Sequence, residues 1–184
     1  MFEDIVSLEN LFAAWREFRR GKRGKSDVQV FERHLEDNLF ALRDELMAHT
    51  YRHGSYHRFH IFDPKHRVIH KATVRDRVLH HAVCRVLAPL FDRSFIFDSY
   101  SCRIGKGTHM AIDRLDQFAR KVSRNLRRPC FALKCDIKKF FDSVDHMILM
   151  EILAQKIKDP KTQWILREII RSFVVVDKFA SGGG

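Results

Sequence analysis

Apolar residues recur at three- and four-residue spacing over the first fifty positions, as Leu8, Leu11, Phe12, Trp15 and Phe18, then as Phe31, Leu35, Leu39, Leu42 and Leu46. Both runs predict amphipathic helices with one stripe turned toward a core. Between them Gly21 and Gly24, set among Arg16, Arg19, Arg20, Lys22, Arg23 and Lys25, predict a basic turn. The second helix extends over 27–49, with Ser26 or Asp27 available as its cap. Residues 56–62 and 68–72 have strand composition, and Pro64 between them suits a tight turn, which predicts a hairpin. A helix over 76–91 should end near Pro89, and another over 108–125 should use Ile112, Leu115, Phe118 and Val122 as its inner stripe.

Further on the period changes to two. Phe131, Leu133 and Cys135 alternate with Ala132, Lys134 and Asp136, so a strand would bury the first set and leave Asp136 on the polar face. Asp145 can then cap a helix carrying Ile148, Leu149, Ile152, Leu153 and Ile157, and Asp159-Pro160 can open a last helix through Phe173. Residues 174–179 again have strand composition, and no internal repeat is evident.

Composition narrows the class. With 184 residues, 45% of them apolar, the chain can bury one good core or a core with a satellite lobe. No run of 18 apolar residues occurs, and Met1-Phe2-Glu3-Asp4 is not a basic leader, so we expect no membrane partner, no signal peptide and a cytoplasmic protein. Cys84, Cys102, Cys130 and Cys135 lack zinc-ligand or disulfide-framework spacing and are expected to be reduced and mostly buried. The eleven histidines, His80-His81 included, lack His-Glu-x-x-His spacing, which leaves structural or nucleic-acid-facing roles. A net charge of +11 makes nucleic acid the default partner. The basic turn and Arg124, Arg127 and Arg128 are either solvated faces or contacts to an RNA backbone.

Asp136 is the first candidate for chemistry. A carboxylate at a strand end can share a divalent cation with other carboxylates, and Mg²⁺ takes such hard oxygen ligands together with substrate phosphates; the same Asp can instead cap the turn that follows. Phe140 and Phe141 suit core burial, which is preferred for Phe140. Lys65 and Arg67 at a hairpin tip suit phosphate contact, Arg as a bidentate fork and Lys as a point charge, or simply solvation.

The run Asp136-Ile137-Lys138-Lys139-Phe140-Phe141-Asp142-Ser143-Val144-Asp145-His146 resembles motif A of reverse transcriptases of bacterial group II introns, retron-like elements and diversity-generating retroelements, with Val144 in place of Ile. Two further stretches are similar to the fingers of the same enzymes: 62–82, with Pro64-Lys65 and Arg67 ahead of a helix beginning Asp76-Arg77, and 91–111, with Ser99-Tyr100, Arg103 and Gly105-Lys106-Gly107-Thr108. The resemblance implies an α+β fold made of right-hand polymerase fingers and the first part of the palm, mainly helical, with a fingers hairpin and a partial palm sheet. Its divisions would be an N-terminal helical region at 1–50, fingers at 51–128 and partial palm at 129–184. Asp136 and the Ile137 carbonyl would be metal ligands, and Phe141 would crowd the sugar 2′-position. Lys65 and Arg67 would hold the triphosphate, Arg103 would lie over the nucleotide, and Gly105 and Gly107 would allow positive φ and close backbone approach. The implied activity is RNA-directed DNA polymerisation, with two Mg²⁺ as cofactor and an RNA template, a DNA or RNA primer and dNTPs as partners.

A Tyr/Phe-x-Asp-Asp hairpin, a Gly-x-Pro-x-Gly-x-x-x-Ser-Gln segment and a helical thumb are not found in the sequence. The chain is therefore expected to be a fragment, inactive alone, that needs an accessory protein or a C-terminal half. The alternative is a non-catalytic RNA-binding or regulatory protein derived from such a polymerase; a nuclease using Asp136 lacks a second convincing carboxylate.

Overall fold

A computed structural model describes residues 1–173 and, at Asp142, the backbone alone. The described chain is mainly helical with one two-stranded sheet, an α+β composition. It divides into two compact units, Met1–Leu87 with the described part of Phe141–Gly184, and Ala88–Phe140.

In the first unit α1 (Phe2–Val6), which the periodicity did not announce, precedes α2 (Leu8–Phe18). Ser7 separates them and caps α2 by accepting from the Asn10 N–H at 3.2 Å. Phe2, Ile5, Leu11, Trp15 and Phe18 are buried, and Trp15 stacks obliquely on Phe31 at 5.3 Å. The single helix expected over 27–49 is two, α3 (Ser26–Arg33) and α4 (Leu35–Met47). His34 leaves helical geometry between them, and the Asn38 side-chain amide donates to the Phe31 carbonyl at 3.0 Å, standing in for a bond the break removes. Neither Ser26 nor Asp27 caps α3: Ser26 is its first residue, and Asp27 takes ion pairs from Lys71 and Arg77, both at 2.7 Å.

Strands β1 (His57–Ile61) and β2 (Arg67–Lys71) form the expected antiparallel hairpin, in the register Phe59 opposite Ile69 and Ile61 opposite Arg67. Helix α5 (Val74–Asp92) does not end at Pro89 but runs through it. A proline removes one helix hydrogen bond; here it sits in the last turns on an exposed face, where water can serve the carbonyl it frees. Val78, Leu79 and Ala82 of this helix are buried.

In the second unit α6 (Thr108–Val122) starts where predicted, but its expected inner stripe of Ile112, Leu115, Phe118 and Val122 is exposed. The strand expected to carry Asp136 is also not formed. Phe131 and Leu133 are 93% and 91% exposed, Cys135 is exposed, and among the described residues the hairpin is the only sheet. Alternation marks a chain able to pair, whereas a strand exists only where a neighbour takes its N–H and C=O groups. A partial palm sheet is thus not part of the described architecture. All four cysteines are free thiols and exposed, against the expectation of burial, because they fall on surface positions of α5 and of irregular segments.

The short helix α7 (Phe140–Ser143) leads to α8 (His146–Lys156) and α9 (Pro160–Ser172) in the first unit. Both longer helices are capped as predicted. Asp145 accepts from the Met147 and Ile148 N–H groups, and Asp159 accepts from that of Lys161 with Pro160 at the first turn. The strand expected over 174–179 lies outside the described residues. No described helix is long and apolar enough to cross a membrane.

Candidate functional site

The hairpin is the best-defined presentation of candidate residues. Lys65 and Arg67 lie at its exposed end, and its base is held from several sides. Lys71 pairs with Asp27 of α3 at 2.7 Å. Burial works against ionisation of Asp27, but the hydrogen bonds and charges of Lys71 and Arg77 outweigh it and hold its carboxyl below the usual range. Beyond the hairpin, His70 and Tyr56 both meet Phe173 edge to face, at 5.4 and 5.6 Å, and the Tyr56 and Ser172 hydroxyls lie 3.1 Å apart.

The segments that lead into and out of the hairpin form a buried polar network that sequence reasoning missed. Asp76, 1% exposed, accepts from the Tyr51 hydroxyl at 2.7 Å, the Thr73 hydroxyl at 2.6 Å and the Gly54 N–H at 3.1 Å. Burial, reinforced by that carboxylate, pushes the Tyr51 phenol far above its ordinary range, so it remains a donor. His53 lies against the same carboxylate, with Nδ1 3.9 Å from Asp76 Oδ2, and its Nε2 is 3.2 Å from His80 Nε2. Burial and then the neighbouring His53 pull His80 down to about 4, so at neutral pH it is uncharged. The available signal was Asp76 itself, a carboxylate among the apolar positions of α5 that needs buried donors wherever the helix packs.

In the second unit Arg103 is fully engaged. Its Nε and one terminal nitrogen reach the Asp92 carboxylate at 2.6 and 3.3 Å, and the remaining N–H groups go to the carbonyls of Asp92, Ile96 and Ser99. The hydrogen bond from Arg103 holds Asp92 below the usual carboxylate range, and the same bond raises Arg103. The guanidinium therefore fastens the loop over 92–103. Next to it Lys106 donates to the Phe97 carbonyl and lies over the Phe97 ring at 3.8 Å, while Arg114 pairs with Asp98. Of the two glycines that permit positive φ only Gly105 adopts it, at 73°; Gly107 is extended, a conformation open to any residue.

Asp136 and Ile137 lie in an exposed irregular stretch of this unit. Phe141, on α7, is 81% exposed, and Phe140, expected in the core, is half exposed because so short a helix offers no broad face to bury. One carboxylate and one backbone carbonyl make an incomplete Mg²⁺ site, and no group of three or more His, Cys, Asp or Glu side chains comes together among the described residues. These residues do not fit a two-metal centre by themselves.

No family model matches the chain. It is similar to Protein YkfC of Escherichia coli (strain K12), 25% identical over 145 residues, covering 78% of the chain and 38% of that protein. It is also similar to two proteins of Arabidopsis thaliana. Nuclear intron maturase 1, mitochondrial, is 26% identical over 97 residues, 53% of the chain and 13% of that protein. Nuclear intron maturase 2, mitochondrial, is 20% identical over 167 residues, 82% of the chain and 22% of that protein. The chain thus spans well under half the length of these relatives, and its similarity to intron maturases is distant.

Proposed function

We propose that the chain is the fingers and opening palm of an RNA-directed DNA polymerase of the kind borne by mobile introns. The observation that carries this reading is the order of three motifs, at 62–82, 91–111 and 136–146, in a chain whose relatives include two named intron maturases. Group II intron enzymes are among those the motifs resemble. The exposed positions of Lys65, Arg67, Asp136 and Phe141 suit it, since groups that meet a nucleotide cannot be spent in a core. In the complete polymerase Lys65 and Arg67 take the triphosphate, Asp136 and the Ile137 carbonyl contribute to Mg²⁺ binding with carboxylates from elsewhere, and Phe141 crowds a 2′-hydroxyl. Arg103 sets the loop beside the nucleotide. RNA template, primer and dNTPs are the partners.

The test is photo-crosslinking of an azido-dATP in Mg²⁺, with primer extension alongside. Replacing both Lys65 and Arg67 by Ala is expected to cut labelling at least about tenfold, the order of two lost charge-assisted contacts. The 184-residue chain alone is expected not to extend a primer. Labelling indifferent to the double substitution overturns the triphosphate role, and extension by the chain alone overturns its dependence on a further segment.

A second reading is a non-catalytic RNA-binding protein, favoured by the saturation of Arg103 within its own loop. It requires RNA affinity with no dATP labelling, and indifference to Asp136→Ala.

A further inference from the structure

The outer end of the hairpin carries three aromatic rings in near-parallel array. His60 Nδ1 and His66 Nε2 are 2.7 Å apart, their ring planes differ by 6°, and their centroids are 5.0 Å apart. That separation equals the N···N distance plus the two nitrogen-to-centroid radii, so both nitrogens and both centroids lie on one line. The line runs within both planes, and the two imidazoles are therefore coplanar, joined edge to edge by a hydrogen bond into one flat tile. Phe62 adds a third ring, tilted 23° from His66 at 4.9 Å and 18° from His60 at 6.3 Å.

All three side chains are exposed, Phe62 at 75%. Strand alternation sets Arg58 and His60 on one face, opposite His70 and Val68. Lys65 and Arg67 flank His66 along the chain, against the single acidic residue of the turn, Asp63. A metal does not explain the cluster. The two facing nitrogens are committed to each other, and no third ligating side chain joins them among the described residues. Flat rings open to solvent beside several cations are what an unpaired base on an anionic strand needs: π-faces to stack on, and charge for the flanking phosphates.

We infer that His60, His66 and Phe62 form a stacking platform for an unpaired nucleobase of single-stranded nucleic acid, with Arg58, Lys65 and Arg67 holding its backbone. The three rings have no part in the triphosphate role, whereas Lys65 and Arg67 serve both, and the platform depends on ring geometry, not on the motif resemblance. A base on the platform is held by shape and π-face, so every base is accepted and the sugar is not read.

The test is fluorescence anisotropy of the full chain with labelled oligo-U and with an abasic strand of equal length and charge. Oligo-U should bind more tightly. Phe62→Ala, at an exposed position that leaves the fold intact, should weaken oligo-U about 5- to 150-fold, the loss expected for one stacked base, and leave the abasic strand unchanged. Phe62→Tyr should retain binding, and Lys65→Ala should weaken both strands alike. Equal affinity of the wild-type chain for the two strands, or oligo-U binding indifferent to Phe62→Ala, overturns the platform. Azido-dATP labelling of the Phe62→Ala chain separates this outcome from failure of the polymerase reading, because the platform's loss leaves labelling by Lys65 and Arg67 in place.

Discussion

Asp76 shows how one residue can carry a local architecture. Its carboxylate satisfies donors from Tyr51, Gly54 and Thr73, and it sits where the approach to the hairpin meets the start of α5. A Cβ at Gly54 would fall 2.9 Å from Asp76 Oδ2 and 2.9 Å from Thr73 Cγ2, so Gly54→Ala must push the carboxylate aside. Urea unfolding is expected to show a loss of about 1–3 kcal/mol for Gly54→Ala and about 1–3 kcal/mol for Tyr51→Phe, which strips a donor from a buried carboxylate. His80 gives a pH signature. Its folded pKa of about 4 lies below the ordinary 6.5, so between these values the unfolded chain binds the extra proton. Stability is then complete above pH 6.5 and falls as pH drops toward 4, by about 3 kcal/mol over the window. His80→Gln should flatten that slope, and a wild-type slope retained in the variant would assign it to another group. Asp76 was legible as the start of a helix; its partners at 51, 54 and 73 were not, because a buried carboxylate's donors are chosen by folding and not by spacing.

Among the elements, caps proved easy to read and extents did not. A cap is a local arrangement of one side chain and the next two or three N–H groups, so Asp145 and Asp159-Pro160 announced α8 and α9. Asp159 has a second duty, since it also accepts from the Phe2 N–H at 2.8 Å and from the Thr162 hydroxyl at 2.8 Å, tying α9 to the start of the chain. Thermal unfolding should therefore rank Asp159→Ala, at about 2 kcal/mol, above Asp145→Ala, at about 1 kcal/mol. Equal effects would mean that the bonds to Phe2 and Thr162 add nothing to stability. The interruption at His34 and the passage of α5 through Pro89 escaped the pattern for opposite reasons. A continuous apolar stripe does not forbid a break that lets Phe31 reach Trp15, and a proline does not end a helix whose freed carbonyl is exposed to water.

For the whole molecule, charge is the property that composition gave most directly. The excess of eleven positive charges predicts affinity for an anionic strand that falls with salt, by a slope of about −0.7 for each phosphate neutralised on a single strand. Within the basic turn Arg19 is drawn back to Glu32 and Lys22 to the Phe18 carbonyl, whereas Arg16, Arg20, Arg23 and Lys25 stay exposed. Joint replacement of Arg20 and Arg23 by Ala should flatten the salt slope for oligo-U by about 1.4 while leaving its preference over the abasic strand intact. An unchanged slope would place the strand elsewhere on the surface.

The sequence by itself determined the helical stripes, the caps, the hairpin, the positive charge and the order of the three motifs, all of which depend on neighbours within a few residues or on simple sums. Only the tertiary structure decided which apolar faces are covered. Leu11, Trp15 and Phe18 of α2 and Leu39, Leu42 and Leu46 of α4 are buried, while Ile112, Leu115 and Phe118 of α6, equally regular, face solvent. It also decided that the alternating run before Asp136 is not a strand, that Asp76 is the centre of a buried network, and that His60 and His66 meet edge to edge. Periodicity states what a segment could present, whereas burial, pairing and ring contact require a second segment brought to it, and that second segment is fixed by the packing of the chain in space.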